Sequence, residues 1–157
     1  MKSAATIDWL TFTLKMVVDP VAVIKDFLAL DPDLFQSQDF GKFGYRKSMY
    51  FAGIFVYFDP AEGRKMEMGV CVSMTGVGCR TYEQHTRLTA AGTPLRALIE
   101  KIHITDMVHC TRLDLALDDK DKLLDLDRIA DCVESGCVNS RIRKRTIYRG
   151  YDGSDRS

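Results

Sequence analysis

The sequence predicts an α+β fold, a largely antiparallel β-sheet with helices packed on one face. Three observations carry this expectation. Segments alternating with period two (residues 6–15, 65–74 and 111–119) are interspersed with segments whose apolar residues recur at helical spacing. The aromatic stretch 45–58 breaks near Gly53, as two strands joined by a short turn would. Short turns between successive strands imply hairpins, and hairpins imply antiparallel pairing.

Thr6 to Lys15 reads as the first strand, with Leu10, Phe12 and Leu14 on one face and Trp9, Thr11 and Thr13 on the other. Asp19-Pro20 then opens a helix, Asp19 as N-cap and Pro20 in the first turn. Val21, Ile24 and Leu28 form its apolar stripe. Residues 31–44, rich in Pro, Asp, Ser and Gly, read as a loop. Tyr45 to Phe58 supplies two short strands, and residues 59–63 a turn. Lys65 to Met74 reads as a strand with Met66, Met68, Val70, Val72 and Met74 on one side and Glu67, Gly69, Cys71 and Ser73 on the other. After the turn Thr75-Gly76-Val77-Gly78, a helix runs from Cys79 to Leu88. Thr93-Pro94 opens another, with Leu95, Leu98, Ile99 and Ile102 at helical spacing. An Asp-bearing strand follows. Asp125 then begins a last helix with Leu126, Ile129, Ala130 and Val133 in register, and Gly136 stops it. The order is β-α-β-β-β-α-α-β-α. Residues 6–138 are expected to form a single domain and residues 139–157 a basic tail.

The 157 residues are enough for one sizeable core. The net charge is zero, so affinity for nucleic acid must come from a local patch. There is no apolar run long enough to span a membrane and no signal-peptide pattern, so a cytoplasmic location is expected. Cys71, Cys79, Cys110, Cys132 and Cys137 are odd in number and lack a CxxC pair. They read as buried free thiols in a reducing compartment, neither disulfides nor a zinc site.

Thr111 to Asp119 (TRLDLALDD) is the most distinctive stretch. Leu113, Leu115 and Leu117 point one way, towards a core; Arg112, Asp114, Ala116 and Asp118 point the other. Two carboxylates flanking a small Ala116 suit a hard cation, Mg²⁺ or Mn²⁺. Glu83 is a further candidate ligand, and Glu67 would join if its strand neighboured the Asp strand. The competing reading pairs Asp114 with Arg112, Arg80 or another base on an exposed sheet face. Gly76 to Glu83 could present backbone N–H groups to a phosphate with Arg80 beside them; the plainer reading is a strand-to-helix turn. The run 139–149 holds Arg141, Arg143, Lys144, Arg145 and Arg149 without an acidic residue. Its natural ligands are DNA phosphates or an acidic partner, or else the acidic stretch 118–134. His85, His103 and His109 form no catalytic pair, and no catalytic residue is assigned.

Four motifs in order resemble a known family: Ile7–Thr13 (IDWLTFT), Met74–Glu83 (MTGVGCRTYE), Thr111–Asp119 and Glu134–Arg141 (ESGCVNSR). Together they are similar to the replication initiation factor family of rolling-circle plasmids, filamentous phages and conjugative transposons, over roughly residues 6–145. The resemblance implies a sheet that grips origin DNA and a divalent metal held by acidic residues, here Asp114, Asp118 and Glu83, with Asp8 also matching. It further implies a tyrosine that attacks the DNA backbone. The family's tyrosine-bearing motifs have no match in residues 1–157, and the nucleophile is not carried onto Tyr148 or Tyr151. The expectation is therefore a truncated initiator-like DNA-binding protein of a mobile element that does not nick DNA alone, acting with DNA and with a full-length initiator. The alternative is an inhibitor of a host defence nuclease, of the anti-CRISPR kind, working through protein–protein contact.

Overall fold

The computed structural model describes residues 5–61, 66–88, 95–117 and 125–137. Residues 4–117 form one compact unit, and residues 1–3 with 118–157 a second. In the first unit six strands make one antiparallel sheet: β1 (Ala5–Leu14), β2 (Gln36–Gln38), β3 (Tyr45–Phe51), β4 (Ile54–Pro60), β5 (Val70–Thr75) and β6 (Val108–Leu117), in the order β2-β3-β4-β5-β1-β6. Helix α1 (Pro20–Ala22) runs on into a π turn, Val23–Phe27; α2 spans Gly76–Leu88 and α3 Leu95–Ile104. The α+β expectation is met. β5 and β6 are both antiparallel to β1, so they run in the same direction. The crossover through α2 and α3 links them.

Alternation along β1 sets the layers. Leu10, Phe12 and Leu14 are buried beneath the helices with Val70, Val72 and Met74 of β5 and Ile54 and Val56 of β4. Ile24, Leu28, Tyr82, Leu98 and Ile102 close that core from the helical side. A fully buried side chain of this kind contributes about 1.5–3 kcal/mol.

Several local expectations hold. Asp19 caps α1, its Oδ1 accepting from Val21 N–H at 2.9 Å. Ala52 (φ 40°) and Gly53 (φ 89°) are both left-handed, the geometry of a two-residue hairpin turn between β3 and β4. In the second unit, α4 (Leu126–Glu134) is capped by Asp125, whose Oδ1 accepts from Arg128 N–H at 2.9 Å, and is followed by Gly136 at φ 77°.

Other expectations are corrected. The strand predicted from Lys65 starts at Val70, because Met66–Met68 is a 3-10 turn. Gly69 then reverses the chain at φ 60°, and a Cβ there would overlap the Leu14 carbonyl. Glu67 is therefore on a turn, and β5 is separated from β6 by β1. The loop expected over 31–44 contains the short strand β2. Helix α2 begins at Gly76, ahead of Cys79. Val21 is exposed, because the π turn (Leu28 N–H to Val23 C=O, 3.0 Å) rotates Val23 and Ile24 into the core. Leu113 and Leu115, expected to face a core, are 44% and 70% exposed. They lie on β6, the last strand in the sheet order. The Thr93-Pro94 helix start lies outside the described residues. No helix among them is long and apolar enough to cross a membrane.

Candidate nucleic-acid interface

The sheet face opposite α1–α3 carries the polar half of each alternating strand. β1 presents Trp9, Thr11 and Thr13, and β5 presents Cys71 and Ser73. On β6 a bulge sets two residues, Thr111 and Arg112, against the single Thr11 of β1. The extra residue aims both side chains at one cavity of about 600 Å³. Phe43, Tyr45 and Met68 wall its far side, and Lys15, His109 and Glu67 complete the lining.

The floor is fixed by hydrogen bonds. Trp9 Nε1–H donates to Thr11 Oγ1 at 2.9 Å, and Thr11 Oγ1 and Ser73 Oγ share a hydrogen bond at 3.0 Å. Both hydroxyls are buried and thus satisfied. Thr111 donates to the Thr11 carbonyl at 3.2 Å, tying the bulge to β1. Cys71 sits below, and burial pushes its thiol up to about 11. Beside it run stacked aromatic rings. Tyr57 lies parallel to Phe55 (5.7 Å, 3°) and meets Phe43 edge-on (5.5 Å, 88°). Tyr45 donates to the Met68 carbonyl at 2.8 Å, and burial raises its phenol to about 12.

At the cavity's β6 edge the Arg112 guanidinium lies over the Trp9 ring, 4.3 Å from its centroid. Arg112 also grips both carboxylate oxygens of Asp114, with Nε 3.1 and 3.0 Å from Oδ1 and Oδ2. Those hydrogen bonds hold the Asp114 carboxyl below its usual range and raise Arg112 further. The arginine-pair reading of Asp114 is the one observed.

The other acids named from sequence lie apart. Glu83 is on α2 and lines a groove of about 350 Å³ with Thr6, Ile7, Cys79, Arg80 and Leu95, on the helical side of the sheet. Asp118 lies outside the described residues. No group of three His, Cys, Asp or Glu side chains able to hold a metal ion occurs among the described residues. Of the three acids, Asp114 is paired with Arg112 and Glu83 lies across the sheet, so the described residues do not bring these two together.

The glycine turn before α2 also has a packing explanation. Thr75 Oγ1 accepts from Gly78 N–H at 3.2 Å, which caps the helix, and Thr75 N–H donates to the Gly53 carbonyl at 3.0 Å. A Cβ on Gly78 would overlap that same carbonyl, so glycine lets α2 rest backbone-to-backbone on the β3–β4 turn. Arg80 Nη1 is 3.9 Å from Asp8 Oδ1, both side chains exposed. Arg141, Arg143, Lys144, Arg145 and Arg149 lie outside the described residues. Trp9, Thr11, Thr111, His109 and Phe43 were not picked out from sequence as site residues. The only signal for Trp9 and Thr11 was the polar half of the β1 alternation, and it needed the β1–β6 register to become a cavity.

The chain has relatives among known proteins. Residues 4–94 match the family described as Rolling Circle replication initiation protein N-terminal domain. The chain belongs to that family, in agreement with the resemblance read from the four motifs. "Putative DNA relaxase NicK" of Bacillus subtilis (strain 168) is 25% identical over 140 residues, 85% of this chain and 36% of that protein. The structure of a rolling circle replication initiator protein from Geobacillus stearothermophilus matches with a TM-score of 0.68 and 28% identity, over 91% of this chain and 54% of that one. The chain thus spans about a third of the first relative and about half of the second.

Proposed function

We propose that this chain is a DNA-binding module of a rolling-circle initiator or relaxase, and that it takes DNA on the open face of its sheet. The observation that carries the reading is the asymmetry of that sheet. α1–α3 cover one face, while the other holds a cavity of about 600 Å³ bounded by aromatic rings, hydroxyls, Lys15, His109 and Arg112. That mixture suits a ligand with both phosphates and flat bases. The relatives' names, for replication initiation and DNA relaxation, support the same ligand. The basic run Arg141–Arg149 adds phosphate contacts to the proposal.

The proposed activity of these residues is binding, not strand cutting. Tyr45 and Tyr57 at the open face are buried, and burial raises both phenols, the wrong direction for a nucleophile. Fluorescence anisotropy of labelled DNA is the test of binding. Affinity should fall steeply with salt, as phosphate contacts release counterions. Salt-independent binding, or none, would reject the reading. Incubation with supercoiled plasmid and Mg²⁺ or Mn²⁺ should leave it supercoiled. Relaxation that is lost in Tyr148→Phe or Tyr151→Phe would replace binding with catalysis.

A further inference from the structure

We propose that the Trp9–Arg112 stack is a platform for one unpaired DNA base, received in the cavity on the open sheet face. This rests on the DNA-binding reading and sharpens it to a ligand and a position.

The argument begins with Arg112. A free arginine side chain loses considerable rotamer entropy when it is ordered on a ligand. Arg112 is ordered already: Trp9 lies against one side of the guanidinium, and Asp114 accepts from two of its nitrogens, Nε and Nη2. Its side chain remains 51% exposed and lines the cavity. A flat, immobilised cation therefore presents its outer side to the open space. Guanidinium planes and aromatic rings are the surfaces on which nucleic-acid bases stack.

Charge separates this role from phosphate binding. The Asp114 carboxylate offsets much of the Arg112 charge and occupies the Nε/Nη2 edge, one of the two forks by which a guanidinium grips a phosphate. What is left for a ligand is the planar surface and the outer Nη1 side, with a weakened charge behind it. Lys15 and His109, elsewhere on a lining that also includes Glu67, make no ion pair among the described residues and suit the backbone phosphate beside the base. The cavity's volume, about 600 Å³, falls in the range of pockets that enclose small organic groups. Its hydroxyl floor is already internally bonded, so shape and stacking, more than a hydrogen-bond code, would select the occupant.

A base in duplex DNA has both surfaces covered by its neighbours. Only an unpaired or extruded base can offer one to Arg112. The platform therefore predicts a preference for single strands.

Trp9 is the chain's single tryptophan, so its emission reports on this position. The full chain would be titrated with a thymidine 12-mer and with a duplex of equal length, following Trp9 emission and, in parallel, anisotropy of the labelled DNA. The single strand should quench Trp9 at the same concentrations at which anisotropy rises, and the duplex should bind without comparable quenching. Arg112→Ala should weaken single-strand binding by about 5- to 100-fold, the effect of losing one stacked base. Arg112→Lys retains the charge and lacks the plane, and should behave like Arg112→Ala. Full rescue by lysine would show a charge contact and overturn the platform. Binding seen by anisotropy with an unchanged Trp9 signal would also overturn it, while leaving the DNA-binding reading in place. Absence of binding to either DNA would remove that reading and the platform together.

Discussion

Cys71 and Cys110 are separated by one strand of the sheet and differ in what water can reach. Cys71 is 4% exposed on β5, and burial pushes its thiol up to about 11; Cys79, 1% exposed on the buried side of α2, is raised to about 11 for the same first reason. Cys110 and Cys137 are exposed. Thiolate is the reactive form, so a disulfide reagent at about pH 8 should modify Cys110 and Cys137 rapidly and leave Cys71 and Cys79 until the protein is unfolded. Mass spectrometry of the timed reaction checks this, and early labelling of Cys71 would refute the buried placement. The same shifts set a pH dependence. An unfolded thiol titrates near 9.0 and the folded ones near about 11. Below 9 both states hold the proton and the stability is whole. Between 9 and 11 the unfolded chain releases protons first, so stability falls as pH rises. Urea midpoints should drop across that window, and Cys71→Ala should flatten the drop. A midpoint that rises with pH would contradict it. The sequence supported buried free thiols as a uniform default for all five cysteines. Hydrophobicity alone favours that for Cys71 and Cys79, but exposure on β6 depends on what covers a strand, which neighbouring residues do not encode.

β1 shows what alternation can and cannot tell. Leu10, Phe12 and Leu14 were read as one face and are buried as one face. Phe12, 0% exposed and 5.7 Å from the Phe27 ring, should cost about 3–5 kcal/mol when changed to Ala. Leu115→Ser on β6, at 70% exposure, should change stability by no more than about 0.5 kcal/mol. Denaturant titration of the two variants would expose a mistake if their costs were similar. The leucines of β6 and of β1 have the same period; only the strand order distinguishes a covered strand from one at the sheet's end. Where local rules failed, a backbone event intervened. The even-numbered Met and Val residues from Met66 mimic one strand, yet the left-handed Gly69 divides them into a 3-10 turn and β5. In the α1 stripe Ile24 and Leu28 are buried as expected, and with the π turn Val23 takes the place of Val21. The Gly78 position belongs to this scale too, since it joins α2 to a hairpin. Gly78→Ala should destabilise by about 1–3 kcal/mol through overlap with the Gly53 carbonyl. A neutral effect in thermal melts would mean that the helix can lift off the turn. The candidate site was legible only in halves. Arg112 and Asp114 were visible as neighbours on one strand, but Trp9, 105 residues before Asp114, meets them only through the β1–β6 register.

Over the whole molecule, 22 basic side chains balance 22 acidic ones. Long-range attraction to DNA is therefore weak, and binding must be composed of local contacts of two kinds. Arg141, Arg143 and Arg145, in a run without acids, would act on phosphates. Arg112, its charge already met by Asp114, would act on a base. These roles separate under salt. On single strands each phosphate contact contributes about −0.7 to the slope of log affinity against log salt. Replacing Arg141, Arg143 and Arg145 together by Ala should make that slope shallower by about 2, and should weaken single-strand and duplex binding alike, because phosphates carry no information about pairing. Arg112→Lys should do the converse, leaving the slope nearly unchanged while eroding the preference for single strands. Anisotropy titrations at four salt concentrations, with both DNA forms, would measure the two effects on one set of axes. If the triple substitution changed the single-strand preference, or if Arg112→Lys changed the slope, the division of labour between a phosphate-binding run and a base platform would be wrong. Charge alone, without a base platform, would then account for the binding of both DNA forms.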